Sequence, residues 1–201
     1  MHISEGVLSA GALVAGWAVA GTGVAVGLKK IDTDKIARVS LMSSVFFLAS
    51  LVNIRIGPGS THLSLIAPMG LILGWAAFPA IMAALLLQAL LFGFGGLLVL
   101  GPNTANMAVP AVAAFLLFSG PIRRTHGKLA ACIAFAAGAL AVLTAAAGVG
   151  LFLGFSDENF IGAAKILFAA HVPLAVIEGL VTAFMVLWLK KAAPEFLDGP
   201  K

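Results

Sequence analysis

The sequence predicts an all-α polytopic membrane protein, and three observations carry that prediction. Of 201 residues, 61% are hydrophobic and only 10% are charged, whereas a soluble domain carries about 25% charged residues. The mean hydropathy is +1.11, and no stretch is polar enough to form a separate soluble domain. The apolar residues also fall in long runs between short polar turns. Each spanning helix needs roughly 20 apolar residues, which leaves room for about six or seven.

The runs read as seven spans with edges near 8–28, 37–55, 62–78, 79–100, 105–119, 128–153 and 162–189, between an N-terminal segment 1–8 and a tail 190–201. Together they form one membrane-embedded domain. The first run lacks a basic leading segment, carries Glu5 ahead of it and is followed by Lys29 and Lys30. It therefore reads as a retained helix rather than a cleaved signal. Its Gly16, Ala20, Gly23 and Gly27 form a small-residue face that suits close helix packing within the chain, in preference to docking a second membrane subunit. The second span ends in Asn53-Ile54-Arg55-Ile56-Gly57-Pro58-Gly59-Ser60-Thr61-His62, a glycine- and proline-rich turn that places His62 at the start of the third span.

The third and fifth spans are short, which predicts tilted, broken or re-entrant segments covered by protein. After the fourth, Gly101-Pro102-Asn103-Thr104-Ala105-Asn106-Met107 reads as a loop. Asn103 and Asn106 would be turn and capping residues, or partners that fix an imidazole tautomer. The sixth span repeats a small-residue face at Ala130, Ala134, Gly138, Ala141 and Ala145, and Cys132 within it is expected to be a buried packing residue. The seventh carries His171 and Glu178 on one face, with Pro173 between them. Ionisable groups at membrane depth point to function. A second metal site, a proton relay and a helix-to-helix hydrogen bond compete there, and the hydrogen bond is favoured.

Charge sets the expected orientation. Lys29, Lys30, Lys35, Arg38, Arg123, Arg124, Lys128, Lys190, Lys191 and Lys201 fall on one side of a seven-span chain, and only Arg55 and Lys165 on the other. Ten against two predicts an outer N-terminus and a cytoplasmic C-terminus, with His126 a solvated residue of a cytoplasmic loop. The basic residues mark topology rather than a nucleic-acid face. One cysteine excludes disulfides and thiolate clusters. Gly127-Lys128 is followed by Leu129 and lacks the spacing of a phosphate loop, so no ATPase is encoded. Glu178 is the lone carboxylate within the spans, which makes an ion-coupled carrier a weak reading.

His2 is placed unlike any other residue. The Met1 amine, the His2 amide nitrogen and the His2 Nδ1 can close a five- and a six-membered chelate ring on one ion. Such nitrogen sets suit Ni²⁺, Cu²⁺ and, less strictly, Co²⁺. A bulky second residue disfavours removal of the initiator, so Met1 is expected to stay. Against this stands the bland reading of His2 as part of a disordered terminus, and of His62 as a simple helix-start residue.

The opening MHISEGVLS, the loop GPGSTHLSL, the stretch FGGLLVLGPNTANMAVPA and the final HVPLAVIEGLVTA resemble, over the whole chain, the CbiM/NikM family. These are substrate-binding subunits of cobalt and nickel energy-coupling-factor transporters. The resemblance implies a six-helix core plus an extra N-terminal helix, with the N-terminal loop inserted into the membrane domain. It implies a near-planar set of four nitrogens for the transported Co²⁺ or Ni²⁺: the Met1 amine, the His2 amide and imidazole, and the His62 imidazole. No resident cofactor is implied. Ser60, Asn103, Asn106, His171 and Glu178 match positions that support the loop or gate it. Many members carry an asparagine shortly after the third-span histidine, where this chain has Leu63-Ser64-Leu65; Ser64 is expected to supply one hydrogen bond in its place.

The implied partners are a transmembrane coupling subunit, two ATPase subunits, a small accessory membrane subunit and the lipid bilayer, with no nucleic acid. The setting would be a prokaryotic cytoplasmic (inner) membrane, and the metal would serve cobalamin synthesis or nickel enzymes. Binding is expected to weaken below about pH 6 to 6.5, where imidazoles take up protons. The alternative from another class is a membrane-embedded metal-dependent enzyme using His62, His171 and Glu178.

Overall fold

The computed structural model describes residues 2–56 and 59–197, without the side chains of 53–56 and 59–61. Helices α1 (Ala10–Leu28) and α2 (Thr33–Ala49) lead into a two-stranded antiparallel hairpin, β1 (Asn53–Ile56) and β2 (Gly59–His62). Then follow α3 (Ile66–Leu73), α4 (Ala77–Phe92), α5 (Leu100–Arg124), α6 (Gly127–Ser156) and α7 (Ile161–Ala192), with short 3-10 turns at Gly74–Ala76, Glu158–Phe160 and Pro194–Phe196. By length and composition, five stretches among the described residues can cross a membrane: Ala10–Leu28, Ile66–Phe92, Leu100–Arg124, Gly127–Ser156 and Glu158–Ala192. The molecule is a helical, multi-pass membrane protein. Large apolar side chains coat its outside, Phe155 at 79% and Ile166 at 73% exposure among them, as a lipid solvent allows.

The Ile66–Phe92 stretch is not one rod. Gly74, at φ 57° and ψ −129°, takes a conformation that L side chains rarely adopt, and the chain reverses there. Leu73 and Ala76 share a recess with Lys30, Lys35 and Arg38, while α4 returns alongside α2. Ser43 Oγ donates to the Ala80 carbonyl at 2.8 Å, and Gln88 Nε2 donates to Ser50 Oγ at 2.8 Å. The sequence edge near 78–79 thus lies within the first turn of α4, where Pro79 loses nothing by lacking an N–H.

Two other edges differ from expectation. His62 closes β2, pairing in register with Asn53, and α3 starts four residues later. The segment Gly101–Met107, expected as a loop, forms the first turns of α5, with Pro102 where a free N–H would be unsatisfied anyway. The connection falls at 93–99 instead, because Gly93, Gly95 and Gly96 adopt φ of 67°, 76° and 136°.

Small residues set the packing. Ala12, Gly16, Ala20, Gly23 and Gly27 are the buried face of α1. A Cβ at Gly16 would lie 2.5 Å from the Pro102 ring, and one at Gly27 would lie 2.5 Å from the Trp75 carbonyl. The α1 face therefore serves packing within the chain. On α6, Ala130, Ala134, Gly138, Ala141 and Ala145 are buried likewise, and a Cβ at Gly138 would meet Thr182 Oγ1 at 2.5 Å. Cys132 corrects the expectation of burial: it is exposed on α6. An apolar run cannot distinguish core from lipid-facing positions, since both accept a thiol.

The basic residues gather at one end of the bundle. Arg38 stacks 4.5 Å over the Phe196 ring, Arg123 Nε donates to the Leu197 carbonyl at 2.7 Å, and Lys190 Nζ donates to the Thr125 carbonyl at 2.6 Å. His126 is exposed there. These contacts dock Pro194–Leu197, part of the expected tail, against the bundle. The N-terminal strap, the hairpin and the 93–99 connection occupy the opposite end.

Candidate functional site

Residues 2–8 form a strap across the end of the bundle, and its anchors are specific. Asn103 on α5 clamps Ile3 at both backbone atoms: Ile3 N–H donates to Asn103 Oδ1 at 2.9 Å, and Asn103 Nδ2 donates to the Ile3 carbonyl at 3.0 Å. The Ile3 side chain plugs a small apolar cluster with Leu8, Ala12, Val99, Val149 and Leu153. Glu5 N–H donates to the Gly95 carbonyl at 3.3 Å, and Leu98 N–H donates to Glu5 Oε1 at 3.0 Å. Ser9 N–H reaches Ser156 Oγ at 3.0 Å. The 93–99 connection can lie this close because position 96 is glycine: a Cβ there would collide with the Glu5 carboxyl.

The strap delivers His2 to His62. His2 Nδ1 and His62 Nε2 lie 3.1 Å apart, the ring centroids 4.7 Å apart at 34°. His62 Nδ1 is 3.2 Å from the Leu63 carbonyl. A carbonyl only accepts, so Nδ1 carries the hydrogen and Nε2 presents its lone pair towards His2. Gln88 Oε1 contacts the other His2 nitrogen, Nε2, at 2.7 Å, and Phe94 covers the His2 ring at 5.8 Å. Burial is the main cause that lowers both histidines, His2 to about 4 and His62 further, to about 2. Both imidazoles are therefore neutral near pH 7, the form that binds a metal.

His62 is positioned from beneath by Glu178. The Glu178 carboxylate accepts the backbone N–H of Ser64, the Ser64 hydroxyl at 2.8 Å and the Leu65 N–H at 3.1 Å. It thereby satisfies N–H groups at the N-terminus of α3 that have no partner within the helix. Leu65 sits at φ 48°, the only non-glycine of positive φ among the described residues. Such strain persists only where neighbours over-determine it, and Glu178 does so here. Ser64 thus does supply a hydrogen bond, directed to α7 rather than to the strap.

Of the residues singled out in sequence, His2, His62, Ser64, Asn103 and Glu178 converge on this end. Met1 and the Ser60 side chain lie outside the described residues. His171 is buried and its Nδ1 donates to the Leu167 carbonyl at 2.7 Å. The helix-to-helix hydrogen bond favoured for the last span runs from Glu178 to the start of α3, through Ser64 and Leu65. Asn106 is buried facing Gly148 on α6, and neither its Oδ1 nor its Nδ2 has a partner among the described residues. No group of three His, Cys, Asp or Glu that could hold a metal occurs among the described residues. Gln88 and Ser50 were missed. The signal was a lone glutamine within the apolar run Leu85-Leu86-Leu87-Gln88-Ala89-Leu90, a polar group that must find partners at that depth.

A family model described as the cobalt uptake substrate-specific transmembrane region matches residues 2–196. The chain belongs to the CbiM family. A Haemophilus influenzae protein provisionally named for metal transport is 34% identical, over 98% of this chain and 97% of its own length. The cobalt transport protein CbiM of Kyrpidia tusciae is 33% identical over 98% and 86%. The fused nickel transport protein NikMN of Rhodobacter capsulatus is 33% identical over 98% of this chain, which spans only 64% of that longer protein. The crystal structure of a transition metal transporter superposes at a TM-score of 0.81 with 26% identity, covering 95% of this chain and 93% of the other. CbiM members are metal-transport components rather than enzymes.

Proposed function

We propose that this chain captures Co²⁺ or Ni²⁺ at the outer face of the cytoplasmic membrane, as the substrate-binding subunit of an ATP-driven energy-coupling-factor transporter. The Met1 amine, the His2 amide nitrogen, His2 Nδ1 and His62 Nε2 are the four donors. The observation that carries this reading is the 3.1 Å separation of His2 Nδ1 and His62 Nε2. Metal–nitrogen bonds of about 2.0–2.1 Å place neighbouring corners of a planar set about 2.8–3.0 Å apart. The two imidazoles already stand at nearly that spacing. Metal dehydrates at the strap, exchanges water for nitrogen and is delivered when partner subunits reorient the domain. Mg²⁺ and Ca²⁺, which prefer oxygen, are disfavoured.

Seven crossings fit this reading. The α2 helix and the separate arms α3 and α4 join the four remaining spans, so the strap lies outside and the basic end faces the cytoplasm. A coupling subunit, two ATPase subunits and a small accessory membrane subunit complete the transporter, and the fused relative supports such an association for its own family branch. The metal serves cobalamin synthesis or nickel enzymes.

The test is direct. In purified protein, a glycine or acetyl group ahead of Met1, or His2→Ala, abolishes stoichiometric Ni²⁺ and Co²⁺ binding by calorimetry while thermal stability persists. Full affinity in a blocked variant would overturn the N-terminal site. Uptake in cells should in addition require the partner ATPases.

A further inference from the structure

Two hydrogen bonds beneath His2 decide which of its nitrogens is left bare. The Ser50 hydroxyl, at the C-terminus of α2, lies 2.6 Å from the Phe47 carbonyl. A carbonyl cannot donate, so Ser50 does, and only its lone pairs remain for Gln88. Gln88 Nε2, at 2.8 Å, therefore donates to Ser50 Oγ. That orients the amide, and Gln88 Oε1 faces His2 Nε2 at 2.7 Å. An amide oxygen only accepts, so the hydrogen of the neutral His2 ring resides on Nε2.

We propose that Gln88 and Ser50 are positioning residues that lock His2 in its Nε2–H tautomer and keep Nδ1 open to metal. Only Nδ1 can close a chelate ring with the His2 amide nitrogen; Nε2 points away from the backbone. In the opposite tautomer the hydrogen would occupy the metal-facing nitrogen and the tridentate set would be lost. Gln88 and Ser50 are 0% and 1% exposed, so no solvent competes for their hydrogen bonds. The Leu63 carbonyl plays the matching part for His62, fixing its hydrogen on Nδ1. Two lone pairs are thus held face to face at 3.1 Å, an arrangement that repels when empty and is relieved by a cation. The tautomer lock rests on the four-nitrogen reading for its purpose, but not for its existence.

The test uses Gln88→Leu, Gln88→Glu and Ser50→Ala in the full chain. ¹⁵N NMR of the metal-free protein reports which His2 nitrogen bears the hydrogen, and calorimetry with Ni²⁺ reports affinity. Wild type and Gln88→Glu, whose carboxyl still accepts from Nε2, should show the Nε2–H form alone. Gln88→Leu should show a mixture and lose about 10–100-fold in Ni²⁺ affinity, with an altered visible absorption band. Ser50→Ala frees the amide to rotate and should give a smaller loss of the same kind. An Nδ1–H tautomer in wild type, or Gln88→Leu with unchanged tautomer and affinity, would overturn the proposal. If blocking Met1 left metal binding intact, the four-nitrogen reading would fail while the metal-free tautomer measurement still judged the lock.

Discussion

Glu178, midway along α7, holds Ser64 by both its backbone N–H and its hydroxyl, and so fixes the chain two residues after His62. Sequence distance conceals this pairing across 114 positions. Glu178→Ala would leave three donors at the start of α3 without an acceptor, at a cost of at least about 2 kcal/mol. Thermal unfolding in detergent should show a clear drop in midpoint, with weaker Ni²⁺ binding as His62 loosens. Ser64→Ala removes only one of the three donors and should cost about 1 kcal/mol. An unchanged Glu178→Ala protein would refute the capping role.

Asn103 both donates to and accepts from the Ile3 backbone. Asn103→Asp keeps the acceptor and loses the donor, whereas Asn103→Leu loses both. Metal affinity should fall in that order, with about a 10-fold loss or more for leucine. Hydrogen exchange at Ile3 and Glu5 should accelerate in parallel. Exchange at wild-type rates in Asn103→Leu would show that the strap is held by its apolar plug alone.

Glycines on α1 should divide by face. Gly16→Ala forces a methyl against Pro102, 2.5 Å away, pushes α1 outward and drags the strap with it, so both stability and metal affinity should drop. At Gly21, by contrast, a Cβ would meet nothing within 4 Å. Gly21→Ala should therefore be neutral or stabilising by up to about 1 kcal/mol. Equal effects at the two sites would contradict the packing described.

The pH dependence follows from the lowered histidines. When the strap is undocked, His2 and His62 titrate near 6.5; docked, they are lowered to about 4 and about 2. Below pH 6.5 the undocked form therefore binds more protons, and docking weakens progressively as pH falls towards 4. Above 6.5 neither state takes up protons on these rings, and this contribution is fully present. Limited proteolysis of the strap should rise steadily from pH 6.5 to 4 in metal-free protein. A flat profile across that range would contradict the burial of the two imidazoles.

Much of this architecture was legible because lipid imposes simple rules. The spacing of Gly16, Ala20, Gly23 and Gly27 marked the packed face of α1, since only small residues admit a neighbouring backbone so closely. Glu178 was marked by depth alone, because a carboxyl there must find donors. The bend between α3 and α4 and the 93–99 connection were less legible. Apolar residues face both lipid and core, so the alternation that marks edges in a soluble helix is missing, and Gly74, Gly93, Gly95 and Gly96 were the only cues. Cys132 was misplaced for the same reason.

By itself, the sequence determined that the chain lives in a bilayer, that His2 and His62 are candidate metal ligands, and that the basic loops share one side. These follow from composition, covalent connectivity and charge, none of which needs coordinates. Tertiary structure alone decided that Asn103 clamps Ile3, that Glu178 seats the chain beside His62, and that Gln88 meets His2. Hydrogen bonds between residues about 86 to 114 positions apart depend on which helix faces turn together. In an apolar chain, that choice is made by packing.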